Sequence, residues 1–209
     1  KKYIAHYTYS YSVAEKNSAQ TEAAEELILI PDGSGCMIFT FDDNELYDSC
    51  WGPTSQPVRV AKDSSTRNER MFFIEFMPGG LHALTGIPSK HMRNLQCSIN
   101  DVEKRLTKSL KEAVILAKSI DELVARADQI LLREIQNKCH VHSIVEATLH
   151  KVRQAGGNIS IKALAEGEYV SERHLSRLFE SNVGLNVKTF SRLVRINQAV
   201  KLFRSGQHN

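Results

Sequence analysis

The sequence predicts an α+β fold: a small β-barrel or sandwich at the N-terminus, helices after it, and an all-α subdomain at the C-terminus. Three observations point there. Tyr3, Ala5, Tyr7, Tyr9 and Tyr11 recur at every second residue, the period of a half-buried strand. From about residue 100 the apolar spacing changes to three or four, the period of an amphipathic helix. Basic charge gathers at the end: residues 1–150 carry 17 Lys+Arg against 20 Asp+Glu and residues 151–209 carry 10 against 4, balances of −3 and +6 that sum to the net +3. Such a split suits a weakly acidic domain joined to a module that attracts polyanions.

At 209 residues the chain can bury two modest cores. Its 42% apolar and 24% charged residues exclude a disordered or fibrous class. No apolar run reaches the roughly eighteen residues of a membrane span, and KKYIAHYTYSYS lacks the apolar core of a signal peptide. A soluble cytoplasmic protein, with no membrane partner, is therefore expected. Cys36, Cys50, Cys97 and Cys139 are scattered without a CxxC spacing, so they read as reduced structural thiols. The first residue is Lys, and a processed fragment is expected.

The elements follow in order. After the tyrosine strand, ELILIPDGSGCMIFTFDD reads as two apolar strands closing a hairpin around Pro-Asp-Gly-Ser-Gly. RMFFIEFMPGG reads as a further strand ending at a Pro-Gly-Gly corner, which closes a β-rich domain over 1–98. A connector over 99–138 follows, with Val102, Leu106, Leu110, Ala113, Val114 and Ala117 as one helical stripe and Leu123, Ala127, Ile130 and Leu131 as a second. Ser119 and Asp121 are start signals for the second helix. Each helix either packs on the strands or offers a face for dimerisation. Residues 139–209 open with a helix in HVHSIVEATLHKVRQ that ends at Gly156-Gly157.

Asn158 and Ser160 can cap a short helix in SIKALAE. GEYV is a turn, and Ser171 stands at the N-cap of ERHLSRLFESNV. There Leu175, Leu178, Phe179 and Val183 make a buried face, while Arg173, His174, Ser176, Arg177 and Glu180 lie opposite. Two short helices joined by a tight turn, the second exposing Arg and Ser near its start, form a helix-turn-helix over 159–183. Its second helix has the diameter for a DNA major groove, where Arg bonds guanine bidentately. A long linking helix over 187–204 follows, with Val187, Phe190, Leu193, Val194, Ala199, Val200 and Leu202 inward and Lys188, Arg192, Arg195, Lys201 and Arg204 outward.

The stretch ISIKALAEGEYVSERHLSRLFESNVGLNVKTFSRLVRINQAVKLF resembles the DNA-binding module of the AraC/XylS family of bacterial transcription regulators, over about 45 residues. IPDG and FMPGG followed by LHALTGIPS look like the cupin-like sensing domains that precede that module in part of the family. The resemblance implies a sequence-specific transcription regulator in which Arg173, Ser176 and Arg177 face the groove. Ser171 caps their helix, His174 supports packing or a phosphate contact, and Lys188 and Arg192 contact the backbone. The partners it implies are double-stranded operator DNA, a second copy of the chain, a small-molecule effector and RNA polymerase. Tyr7, Tyr9, Trp51 and Phe73 are the expected effector pocket. Two departures stand out. The turn glycine of the family falls at Tyr169, which predicts a different turn geometry or strain there. The family module also has a second helix-turn-helix after the linking helix, so a chain truncated at that helix is expected.

Other chemistry finds little support. His6, His82 and His91 are dispersed, and on a helix His140 and His142 would diverge by about 200°, so no metal and no cofactor is expected. Asp42, Asp43 and Glu45 read as a solvated turn, and no nucleophile-base pairing can be argued, which leaves no enzyme. The alternative is a dimerising interaction module that reads no DNA. It predicts that substituting Arg173 and Arg177 changes nothing.

Overall fold

Alternation along Ile4–Tyr11 (β1) sets one face of a five-stranded antiparallel sheet. Its other strands are β3 (Cys36–Phe41), β4 (Leu46–Trp51), β6 (Arg70–Phe76) and β7 (Gln96–Cys97), in the order β1-β6-β3-β4-β7. The computed structural model describes residues 2–11, 26–29, 31, 33–42, 44–61, 70–136, 138 and 140–205. Side chains one residue apart point to opposite faces. Met37, Phe39, Phe72, Ile74 and Phe76, each at most 1% exposed, therefore form one apolar sheet face. Pairing of Tyr7 with Ile74 and of Tyr9 with Phe72 puts both tyrosines on that face.

The expected hairpin around Pro-Asp-Gly-Ser-Gly does not form. Its first strand, β2 (Glu26–Leu29), pairs antiparallel with β5 (Val58–Ala61) in a separate two-stranded sheet, while β3 pairs with β4 and β6. Apolar alternation marks a strand but says nothing of its partner. The tight connection instead lies between β3 and β4, where Asp42 Oδ1 accepts from the amides of Asn44 and Glu45 at 2.7 and 2.8 Å. This is the carboxylate-rich turn expected from sequence, with Asp43 outside the described residues.

Four helices follow: α1 (Gly80–Thr85), α2 (Ile99–Val102), α3 (Lys104–Leu116) and α4 (Ile120–Gln136). Leu106, Leu110, Ala113 and Val114 of α3 and Leu123, Ala127 and Leu131 of α4 are buried in one cluster with the apolar sheet face. Burying each leucine contributes roughly 1.5–3 kcal/mol. The first connector helix breaks at Glu103, whose extended backbone (φ −158, ψ 97) separates α2 from α3. Its carboxylate meets Lys138 Nζ at 2.5 Å. The Ser119 start signal holds, since its hydroxyl accepts from the Glu122 amide at 3.1 Å. Two polar ties pin helices to sheet. Tyr7 donates to Asp128 of α4 at 2.5 Å. Asp48, on β4, accepts from Ser98 Oγ at 2.8 Å and the Ile99 amide at 2.6 Å and pairs with Lys111 of α3 at 2.6 Å.

A second core gathers Val145 and Val152 of α5 (Ser143–Gln154), Leu164 of α6 (Ile161–Gly167), Leu175, Phe179 and Val183 of α7 (Glu172–Val183), and Val187 and Phe190 of α8 (Val187–Arg204). Gly156 and Gly157 end α5 at φ 56 and 79, as their sequence suggested. The second core is not isolated from the first. Tyr3 and Ala83 belong to it, and Ser89 Oγ donates to the Asn182 carbonyl at 2.8 Å. A Cβ added at Gly33 would stand 3.0 Å from Leu185 and 3.1 Å from Phe190, and Asn197 Nδ2 reaches the Pro31 carbonyl at 3.1 Å. Pro31 and Gly33 are thus part of the seam between the cores.

Helix α8 corrects one expectation. Val187, Phe190 and Leu193 are buried and Val194 is half-buried, but Ala199 and Leu202 lie exposed, with Ile196 and Phe203. In this half Val200 is half-buried and Asn197 is bonded to Pro31, so the expected inward stripe holds only in part beyond Val194.

Candidate nucleic-acid interface

Local sequence fixes the geometry of α6 and α7. Ser160 Oγ accepts from the Ala163 amide at 3.1 Å and Ser171 Oγ from the His174 amide at 3.2 Å, so each helix starts at a capped turn. Between them the Val170 amide returns to the Ala165 carbonyl at 3.0 Å. Tyr169 takes the left-handed conformation (φ 56) and is 97% exposed. The strain expected at the missing glycine is present, since a bulky side chain there costs about 1–2 kcal/mol. Leu175, Phe179 and Val183 turn inward, with Phe179 tilted against Phe190 at 5.6 Å, while Leu178 is half-buried. That packing orients the opposite face of α7 outward.

On that face Arg173, His174 and Arg177 are exposed and Ser176 is half-buried. Arg173 and Arg177 stand one turn apart, as do the exposed Lys188 and Arg192 on α8. The start of α8 is fixed by Asn186, whose Oδ1 accepts from the Thr189 amide at 2.8 Å. Among the described residues, Arg173, Arg177, Lys188 and Arg192 make no ion pair or hydrogen bond through their side chains. Their neighbours are committed elsewhere: Lys151 to Glu168 at 2.6 Å, Lys162 to Glu166 at 3.9 Å, and Arg195 to the Gly157 carbonyl at 2.7 Å. Arg195 therefore helps hold α8 to the end of α5. Two pairs of exposed cations without ion-pair partners are thus presented, Arg173 and Arg177 in the first two turns of α7 and Lys188 and Arg192 in the first two turns of α8, and the macrodipole at the start of α7 also favours an anion.

The expected effector residues do not line one cavity. Cys36 pairs with Trp51 and Ile38 with Phe73, which puts Trp51 and Phe73 on the sheet face opposite Tyr7 and Tyr9. Tyr7 is stacked on Phe72 at 5.7 Å and bonded to Asp128. Burial, then the Asp128 bond, raises its pKa. Tyr9 lines a cleft of about 590 Å³ between the sheet and the α3–α4 junction. The period of two was readable in the sequence, but which strands share a face depends on register.

Among the described residues no group of three His, Cys, Asp or Glu could hold a metal. His142 caps α5, its Nδ1 accepting from the Ile144 amide at 3.3 Å, and Cys139 lies outside the described residues. Cys50 is fully buried beside Cys97, and burial pushes its thiol pKa up. Among the described residues no helix is long and apolar enough to cross a membrane. Tyr169, marked in the sequence as the departure from the turn glycine, projects an exposed aromatic ring just before α7. Its signal was a non-glycine at a turn position that prefers glycine.

Residues 1–98 match the family described as a domain of unknown function, DUF6597. No curated protein matches the chain. Among solved structures, ToxT from Vibrio cholerae aligns over 100% of this chain and 86% of its own, with 12% identity and a TM-score of 0.47.

Proposed function

We propose that the protein is a sequence-specific, DNA-binding transcription regulator whose α6–turn–α7 unit is a helix-turn-helix, with α7 as the recognition helix. The observation that carries this reading is the pair Arg173 and Arg177, exposed and without an ion-pair partner on the face of α7 opposite the buried Leu175, Phe179 and Val183. Their length and charge suit guanine edges or phosphates, and the half-buried Ser176 between them is permissive of several bases. Lys188 and Arg192, exposed one turn apart on α8, supply a second pair of cations for the phosphate backbone. His174 supports the helix start, and Ser171 holds it. The resemblance of 159–204 to AraC-type modules supports the same roles.

In this reading residues 1–98 form a cupin-like sensing domain and a small effector bound there regulates DNA binding. The protein acts in the cytoplasm as a homodimer through its connector helices, where Ile115, Leu116 and Leu132 are exposed. Such a dimer presents two recognition helices to major-groove segments about 34 Å apart and stands where RNA polymerase can be contacted. The test is fluorescence anisotropy of the chain and its Arg177→Ala variant on DNA from its own upstream region and on scrambled DNA, at two salt concentrations. Preference for the native DNA that is lost in the variant is the expected result. Equal behaviour of both proteins on both DNAs would favour an interaction module that reads no DNA.

A further inference from the structure

The cleft under the α3–α4 junction has the composition of a ligand site, and it is not where the sequence placed one. Its floor is the end of the sheet, with Tyr9 packed edge-on against Phe41 at 6.4 Å, and Leu46 beside them; its roof is Val114 and Leu123 from the two helices. At about 590 Å³ it falls in the range of sites for small organic molecules. Ile115 and Ile120 border it, 69% and 50% exposed. Apolar walls continuing onto an apolar rim are costly to leave in water.

The polar groups of the cleft differ in what they still have to offer. Asp42 is occupied by the Asn44 and Glu45 amides, and Glu45 accepts from the Tyr47 hydroxyl. Arg70 lies over the Phe41 ring at 5.0 Å and faces Asp42. Lys118 is different: it is exposed at the junction, and among the described residues its ammonium makes no hydrogen bond or ion pair. The cleft thus combines an aromatic and aliphatic interior with one uncommitted cation at its mouth.

We propose that this cleft binds an amphipathic organic monoanion, its ring or chain against Tyr9, Phe41, Val114 and Leu123 and its carboxylate on Lys118. The proposal rests on the regulator reading for its role but not for its chemistry. A ligand here bridges the sheet and the bend at Ala117, whose extended backbone (φ −70, ψ 130) joins α3 to α4. Helix α4 is bonded to the sheet by Asp128 and lies against α1, which also touches α7. Occupancy therefore favours one angle at the junction, and a ligand shifts an equilibrium only by its differential affinity for the two angles.

The probe is 1-naphthoate, titrated by calorimetry into the intact chain, with 1-naphthamide as its uncharged counterpart. Naphthoate is expected to bind, and Lys118→Glu to weaken it by roughly tenfold or more, the loss of one charge-assisted contact. Lys118→Arg should retain binding, and naphthamide should bind equally weakly to all three proteins. Lys118 is exposed, so these variants should keep the parent melting temperature. Ala117→Trp, which fills the cleft, should abolish binding. Naphthoate that binds wild type and Lys118→Glu alike, or does not bind at millimolar concentration, overturns the proposal. DNA anisotropy of the same samples keeps the two ideas apart: sequence-specific DNA binding without naphthoate binding sinks this inference and leaves the regulator reading standing.

Discussion

The Asn182 side chain ties α7 to the start of α5, and its removal gives a sharp prediction. Its side chain is 6% exposed, accepts from the His142 amide at 3.0 Å and donates to the Leu178 carbonyl at 2.9 Å, while its own carbonyl accepts from Ser89. Asn182→Ala removes both side-chain bonds, each worth about 1 kcal/mol net, and leaves the His142 amide without its partner. A loss of about 2 kcal/mol is expected, which for a chain of this size lowers Tm by roughly 4–8 °C. The assay is urea unfolding followed by far-UV circular dichroism, read as a change in midpoint at constant slope. DNA affinity measured below the transition should be unchanged, because Asn182 lies on the buried side of α7. A loss under about 0.5 kcal/mol, the level of an ordinary surface substitution, would refute the assignment of the Asn182 side chain as the polar tie between α7 and the start of α5.

Other expectations follow from single positions. Lys188→Ala should weaken binding to all DNA sequences about equally and reduce the salt slope by about one, read from anisotropy at several ionic strengths. Gly184→Ala should cost about 2–4 kcal/mol in urea unfolding, because Gly184 sits at φ 85 and a Cβ there would stand 2.9 Å from the Ser89 carbonyl. Tyr169→Gly should be neutral or raise Tm slightly, since strain at φ 56 is relieved while chain entropy rises. Burial opposes ionisation of Asp48, but the Lys111, Ser98 and Ile99 contacts outweigh it and hold its pKa below 3.8; the Lys138 bond holds Glu103 below 4.5. With folded pKa values depressed, this stability is whole above the unfolded values and is lost as pH falls through the folded ones. Unfolding midpoints should drop below about pH 4, and Asp48→Asn should flatten that acid limb.

The C-terminal helices were legible because their signals are local. Ser160, Ser171 and Gly156-Gly157 cap helices within a few residues, and Leu175, Phe179 and Val183 mark one face by spacing alone. Pairing of β2 with β5 was not legible, because the partner lies about thirty residues away and apolar alternation fits any antiparallel neighbour. The pocket residues failed for a related reason: the odd-even position of Trp51 and Phe73 relative to Tyr7 is set by register. The outer half of α8 failed differently. Ala199 and Leu202 fit an inward stripe, yet burial needs a neighbour as well as a pattern. Among the cations, sequence could propose Arg173 and Arg177, but only the placement of Glu166, Glu168 and the Gly157 carbonyl separates them from Lys162, Lys151 and Arg195, which have partners.

The contact of Asn197 with the Pro31 carbonyl, across 166 positions of sequence, bears on how the chain reaches its native state. Closing so distant a pair is entropically slow, and Leu185 and Phe190 stay partly uncovered until Gly33 arrives. Residues 139–209 expressed alone should therefore form their local helices yet expose that apolar strip. They should be more prone to self-association than the intact chain and should regain solubility when 1–138 is supplied on the same polypeptide.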